Sequence, residues 1–241
     1  MKAFRIKMGQ KTQDIEGHTD SILKIICLDP KRIEQKTNEE IKDKPKIISC
    51  SLDNTLRLWD SKKMDVINVL ESPESSELSC MAFLANCCLV ATGHEDGAIR
   101  LWNLEISSSV VLKSPKGGSH TNSISCIIGE IYKDQEFLVA GSYDGTLSIW
   151  EVSQKAVAKE GANSSATTIY PQFSHAIDNT KFTELDHLES SEILSIHFFE
   201  DDKEGYIIVG GNSKKIQVYK MKTGEYFCTM AGHKDSVTCF A

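Results

Sequence analysis

The 241-residue sequence predicts an all-β chain made of repeated antiparallel sheets, and three observations carry that expectation. The segment Asp-x5-Trp recurs as SLDNTLRLWD, HEDGAIRLWN and SYDGTLSIWE, which puts Trp59, Trp102 and Trp150 in one register. Within each copy the apolar residues alternate with period two, as a strand facing a packed neighbour requires: Leu56 and Leu58, Ile99 and Leu101, Leu147 and Ile149 take the same phase. Ahead of each copy lies an apolar run ending in a tight polar turn. Asp96-Gly97 and Asp144-Gly145 are two-residue hairpin signals in which both central residues tolerate positive φ.

A fourth copy, GGNSKKIQVYK, places Tyr219 at the tryptophan position with Ile216 and Val218 in phase. The run before each copy is a second strand, over Ile47 to Ser51, Cys88 to Thr92, Phe137 to Ser142 and Tyr206 to Gly210. Further upstream another strand recurs, starting at Ile22, Leu78, Ile124, Ile193 and Val237. With a last strand after each tryptophan, the unit is a four-stranded sheet, a to d. Such a sheet buries its faces only against neighbours of the same kind, which predicts a β-propeller of four-stranded antiparallel blades.

Four residues before each first strand stand His18, Glu74, His120, Glu189 and His233, three of them histidines in GHTDSI, SHTNSI and GHKDSV. This pattern resembles the WD-repeat β-propeller family, whose unit opens with Gly-His and closes with Trp-Asp. The resemblance implies a hydrogen-bonded tetrad in each blade: a histidine before strand a, a hydroxyl in strand b, the turn aspartate and the strand-c tryptophan. The first copy holds all four as His18, Ser49, Asp53 and Trp59. Partial sets follow: Thr92, Asp96 and Trp102 with Glu74 in the histidine place, then His120, Asp144 and Trp150 with Ala140 in the hydroxyl place. In the fourth copy Glu189, Val209, Ser213 and Tyr219 imply no network.

The repeat divides the chain into a partial blade of strands c and d (1–16), blade 1 (17–71), blade 2 (72–114), blade 3 (115–188), blade 4 (189–231) and the opening of a further blade (232–241). Four complete blades between partial blades at both ends predict an incomplete ring. The expectation is a segment of a longer polypeptide, or half of a ring completed in trans. One blade containing both 3–8 and 236–241 and closing a five-membered ring would contradict it.

Two insertions interrupt the units. Residues 28–45 form a charged a–b loop in blade 1, expected as a solvated loop, with a docking element for an acidic partner as the alternative. Residues 151–179 of blade 3 are expected between strands c and d, as a polar docking loop centred on Tyr170 and Phe173. The residue before each turn aspartate, Leu52, Glu95, Tyr143 and, in the fourth copy, Asn212, lines the face opposite these insertions and is the candidate partner-binding face.

Composition narrows the function. With 40% hydrophobic and 25% charged residues the chain belongs with globular proteins. Its net charge of −7 repels phosphate backbones, so no nucleic-acid partner is expected. The longest apolar run, Met81 to Thr92, is too short for the about 20 residues of a membrane span, and Lys2, Arg5 and Lys7 have no apolar stretch behind them, so an intracellular protein is expected. None of the eight cysteines forms a C-x2-C pair; they are expected as buried small hydrophobes, with no disulfide, metal or cofactor. His94, His175, His187 and His197 have no ligand spacing and are expected in turns or at the surface.

His18, Ser49 and Asp53 could also be drawn as a nucleophilic triad. Ser49, however, lies in an apolar strand facing an indole, and the set degrades from copy to copy, as a packing device can and one active site cannot. The expected function is therefore a non-catalytic scaffold for other proteins in a multiprotein assembly. The alternatives are a recognition module attached to an enzyme elsewhere in the polypeptide, and a cytoplasmic signalling or trafficking scaffold. TGHEDGAIRLWNLE is similar to the repeats of long WD-repeat proteins of motile cilia and flagella, a resemblance that implies axonemal or tubulin-associated partners and a place in the cytoskeleton.

Overall fold

A computed structural model describes residues 2–5, 10–28, 46–72, 76–103, 108–112, 120–157, 166–178 and 192–240. The regular structure in these residues is all β. The first four-stranded antiparallel sheet is β3 (Ile22–Leu28), β4 (Lys46–Ser51), β5 (Thr55–Asp60) and β6 (Val66–Glu71). The second is β7 (Leu78–Leu84), β8 (Leu89–His94), β9 (Ile99–Asn103) and β10 (Ser108–Val111). The third is β11 (Ile124–Tyr132), β12 (Gln135–Ser142), β13 (Thr146–Val157) and β14 (Ala166–Asp178), and the fourth is β15 (Ile193–Glu200), β16 (Gly205–Gly211), β17 (Lys215–Lys220) and β18 (Tyr226–Ala231). Ahead of them β1 (Lys2–Arg5) pairs with β2 (Gln10–Asp14) as a separate hairpin. Sequence neighbours are sheet neighbours throughout, the meander that strands a to d require, and the sheets form a propeller arc whose ring is not closed.

Alternation along each strand gives every sheet two apolar faces, and the core lies in the seams between sheets. Ile48, Leu56 and Leu58 of the first sheet meet Met81, Val90 and Trp102 of the second. Leu89, Ala91 and Leu101 of the second meet Ile127, Leu138 and Trp150 of the third. Phe137, Val139 and Ile149 of the third meet Ile196, Ile207 and Tyr219 of the fourth.

A glycine in strand b lets the next sheet approach. A Cβ on Gly93 would lie 2.5 Å from Ile124 Cγ2, and one on Gly141 would lie 2.6 Å from Ile193 Cγ2. A serine beside the first residue of strand a ties the seam on its inner side: Ser79 Oγ donates to Ile124 O and Ser125 Oγ to Ile193 O, each at 2.5 Å.

Three expectations need correction. The b–c turns do not take positive φ at both central residues. Gly97 and Gly145 close their turns by donating N–H to His94 O and Ser142 O, and each is the one left-handed residue of its turn, at φ 79° and 81°. Asn54 and Lys214 hold the same place in the other two sheets with φ 62° and 60°, so the geometry needs one permissive position after the aspartate place. Next, the segment 151–179 is not a loop preceding strand d. β13 and β14 pair from Thr146↔Asp178 to Val157↔Ala166 with one register shift between Ile149 and Trp150, because the β-branched run Thr167-Thr168-Ile169 continues the ladder, and strand d itself lies inside the segment. Last, residues 236–240 form no strand although Val237 N–H donates to Gly211 O at 2.9 Å, the place a first strand would take. A first strand is stabilised by a second strand beside it, and among the described residues none pairs with 236–240. The expected a–b loop of blade 1 beyond Leu28, together with Glu74, His187 and Glu189, lies outside the described residues.

Candidate functional site

The first sheet builds the complete tetrad. Strand β4 presents Ser49 inward, β5 presents Trp59 two residues beyond Arg57, the partner of Ser49, the b–c turn carries Asp53, and the chain entering β3 delivers His18. Trp59 Nε1–H donates to Ser49 Oγ at 2.8 Å, and Ser49 Oγ lies 2.7 Å from His18 Nε2. His18 Nδ1 lies 2.8 Å from Asp53 Oδ2. An indole only donates and a carboxylate only accepts, so the relay runs one way: Trp59 to Ser49, Ser49 to His18, His18 Nδ1–H to Asp53. Burial raises the Asp53 carboxyl, but hydrogen bonds from the Thr55 hydroxyl, Thr19 N–H, His18 and Thr55 N–H outweigh it and bring it down to about 2.

The second sheet reaches the same end with other residues. Trp102 Nε1–H donates to Thr92 Oγ1 at 2.8 Å, and Thr92 Oγ1 lies 2.9 Å from Nε2 of His94, whose Nδ1 faces Ser76 O at 3.2 Å. His94 is fully buried, which corrects its expected place at the surface or in a turn. It enters from the end of strand b, two residues beyond Thr92, where Ser51 and Ser142 stand in the first and third sheets. Asp96 is exposed and only organises its turn, accepting Ala98 N–H at 3.0 Å.

In the third sheet Ala140 offers no hydroxyl, and Ser148 supplies one from strand c at 2.8 Å from His120 Nε2. His120 Nδ1 lies 2.8 Å from Thr146 Oγ1 and 3.4 Å from Asp144 Oδ2, while Thr146 Oγ1 donates to Asp144 Oδ1 at 2.6 Å. Burial raises the Asp144 carboxyl, and bonds from His120, Thr146 and Thr121 hold it well below the usual carboxylate range. Trp150 is buried in the seam toward the second sheet. In the fourth sheet Val209 and Tyr219 pack in the core, and Ser213 Oγ bonds back to Lys215 O at 3.4 Å. Ser148, Thr55 and Thr146 escaped sequence reasoning, although each stands at a fixed offset from its tryptophan or aspartate.

Ser49 is 0% exposed, its oxygen held between indole and imidazole, so this Ser-His-Asp set holds a sheet together and offers no nucleophile. Burial also pushes the thiols of Cys50, Cys80 and Cys126 up to about 11, 12 and 11, which keeps them protonated.

The b–c turns supply surface of a different character. Leu52, Glu95, Tyr143 and Asn212 occupy one position in the four sheets. Their N–H groups donate to the residue just before strand a: Ser21 O at 3.0 Å, Glu77 O at 3.0 Å, Ser123 O at 3.1 Å and Glu192 O at 3.2 Å. The backbone is pinned while Glu95 and Tyr143 are exposed and Leu52 and Asn212 half-buried, Asn212 Nδ2 donating to Glu192 Oε2. Tyr170 and Phe173, expected in a loop, lie on strand β14, where Tyr170 pairs with Ser153 and Phe173 with Trp150. These two are therefore in a ladder apart from the turn positions.

The family described as "WD domain, G-beta repeat" matches residues 9–60, 64–103 and 113–151, more than half of the chain. Mitochondrial division protein 1 of Saccharomyces cerevisiae is 25% identical over 199 residues, covering 78% of this chain and 27% of that protein. Cilia- and flagella-associated protein 52 of Homo sapiens is 24% identical over 216 residues, covering 82% of this chain and 34% of that protein. The chain thus spans only about a quarter to a third of the length of these relatives. Among solved structures, the computationally designed Ika8 protein matches 99% of this chain and 57% of its own, with a TM-score of 0.63 and 20% identity, a likeness of fold. With its repeats matched in three places over more than half of its length, the chain belongs to the WD-repeat family.

Proposed function

We propose that this chain is a non-catalytic protein–protein interaction scaffold that engages its partners through the b–c turn face. The observation that carries the proposal is the fourfold recurrence of one pinned backbone position at Leu52, Glu95, Tyr143 and Asn212, with a different side chain in each sheet and those of Glu95 and Tyr143 exposed. Rigid presentation of differing side chains is what a docking surface needs, since little conformational freedom is lost on binding. The His18, Ser49 and Asp53 side chains, which could be drawn as a nucleophilic triad, are buried within their sheet instead.

The finer proposal is an axonemal or tubulin-associated partner, supported by the likeness to a cilia- and flagella-associated protein. Co-sedimentation of the purified chain with demembranated axonemes tests it. Saturable binding that Tyr143→Ala and Glu95→Lys weaken, with unchanged stability, supports both the face and the partner class. Binding that ignores both substitutions removes the face, and no binding removes the axonemal partner.

A further inference from the structure

At the turn end of the seam between the third and fourth sheets stands a fixed aromatic ring whose hydroxyl has nothing to bond. Tyr132 is the last residue of β11 and is 2% exposed. Its ring is held across the seam: Phe198 meets it edge-on with centroids 5.9 Å apart, and a Cβ on Gly205 would lie 3.1 Å from its Cδ2 and Cε2. The Tyr132 hydroxyl is buried and has no hydrogen-bond partner. Buried hydroxyls in folded chains are nearly always paired, so this one calls for an acceptor.

Two ammonium groups stand over the same ring, Lys133 Nζ 4.9 Å from its centroid and Lys222 Nζ 5.8 Å. Lys133 opens the two-residue turn between β11 and β12, where it and Asp134 both take left-handed φ, 49° and 63°. Its ammonium donates to Lys203 O at 3.2 Å in the a–b turn of the fourth sheet, and Lys222 comes from the c–d turn of that sheet. The Lys133 pKa is raised, first because the phenol oxygen faces its ammonium, with Glu204 and Glu200 adding to it. An ammonium only donates, so the phenol proton still lacks an acceptor. Glu204 and Glu225 are engaged by Lys220 Nζ, at 3.8 and 3.1 Å. Among the described residues neither Lys133 nor Lys222 has a carboxylate within ion-pair distance.

The geometry points to a binding site for a single phosphoryl group at this end of the seam, the Tyr132 hydroxyl donating to one oxygen and the Lys133 and Lys222 ammonium groups facing the others. The ligand class follows from the donors. A phosphoryl group brings about −1.5 to −2 charges near neutral pH and three accepting oxygens, which suits two cations and one O–H. A carboxylate brings one charge and leaves one ammonium without a counterion. The group is carried by a phosphorylated side chain of a partner protein or is free phosphate, and both present the same oxygens. The chain's net charge of −7 disfavours anions in general, so one that is retained is held locally. The site lies at a–b and c–d turns and is separate from the b–c turn face.

Isothermal titration calorimetry of the full chain with potassium phosphate, against potassium acetate and potassium chloride at matched ionic strength, tests the proposal. Saturable heat is expected with phosphate alone. Tyr132→Phe removes one oxygen and keeps the ring, Lys222→Ala removes an exposed ammonium, and each is expected to weaken phosphate binding about tenfold. In phosphate-free buffer Tyr132→Phe should keep the wild-type urea midpoint, because the hydroxyl has no partner to lose. N-acetyl phosphoserine amide identifies the source: binding at least as tight as that of phosphate assigns a phosphorylated partner, and weaker binding assigns the free ion. Absence of saturable phosphate binding overturns the proposal, as does acetate binding of equal strength, or phosphate binding that either variant leaves unchanged. A lowered urea midpoint of Tyr132→Phe in phosphate-free buffer also overturns it, since the hydroxyl then already has a partner.

Discussion

The Trp59 indole donates to Ser49 Oγ at 2.8 Å across neighbouring strands, and the same bond joins Trp102 to Thr92 at 2.8 Å one sheet later. In each case the hydroxyl passes the bond to a histidine, but the histidines come from different places. His18 precedes strand a and His94 ends strand b. What these first two sheets share is an indole N–H satisfied by a strand-b hydroxyl, and either route to an imidazole accomplishes that.

Removing the hydroxyl leaves two buried groups unpaired at once. Ser49→Ala is expected to destabilise the chain by about 1 to 3 kcal/mol, the cost of a buried polar group without its partner. Trp59→Ala should cost more, about 3 to 5 kcal/mol, since it also empties a large volume in the sheet. Urea unfolding of the full chain measures both. A Ser49→Ala variant as stable as wild type would mean the relay contributes nothing beyond packing.

His94 gives the sharper contrast. A surface histidine changed to alanine shifts stability by less than about 0.5 kcal/mol. A fully buried imidazole bonded to Thr92 and Ser76 should cost about 1 to 3 kcal/mol, because its loss leaves a cavity and an unpaired hydroxyl. His197, exposed on β15, serves as the control, and its alanine variant should leave the urea midpoint unmoved.

The sheets were legible because alternation and the Asp-x5-Trp register are local signals. The order a to d followed from them, and the first tetrad was what the resemblance to the WD-repeat family implied. His94 was not legible for a physical reason: it stands where serine stands in two other copies, and only the packed seam shows that an imidazole from that place reaches Thr92. Ser148 was hidden similarly, since hydroxyls on strand c face either side with period two and the partner, His120, is 28 residues away. The extended ladder of β13 and β14 was missed because its polar composition suggested a loop, whereas a ladder depends on β-branched content and pairing.

Acid should unfold the chain in a defined window. The folded Asp53 carboxyl lies at about 2 against its ordinary 3.8, and Asp144 is lowered in the same direction. A depressed folded pKa contributes stability that is fully present well above 3.8 and is lost as pH falls from there toward 2. The urea midpoint is therefore expected to drop steeply over that interval. Asp53→Asn should lower the midpoint at neutral pH and flatten the acid limb, leaving the Asp144 share. An equally steep limb in Asp53→Asn would assign the acid sensitivity to other carboxylates.

The seams make a prediction that separates packing from backbone effects. Gly93 has no left-handed φ to explain it, yet a Cβ there would lie 2.5 Å from Ile124 Cγ2 and 2.7 Å from Cys80 Sγ. Gly93→Ala should therefore cost about 1 to 3 kcal/mol through overpacking of the seam between the second and third sheets. Ile124→Ala alone should cost about 2 to 5 kcal/mol through the cavity it leaves. Alanine keeps the Ile124 Cβ, 2.6 Å from the same place, so the double variant is relieved of the Cγ2 clash alone and should be more stable than the sum of the two losses by about 0.5 kcal/mol, the low end of coupling between touching residues. Strict additivity would show that the cost at Gly93 comes from the Ile124 Cβ and Cys80 Sγ, and that the Cγ2 methyl has no part in it.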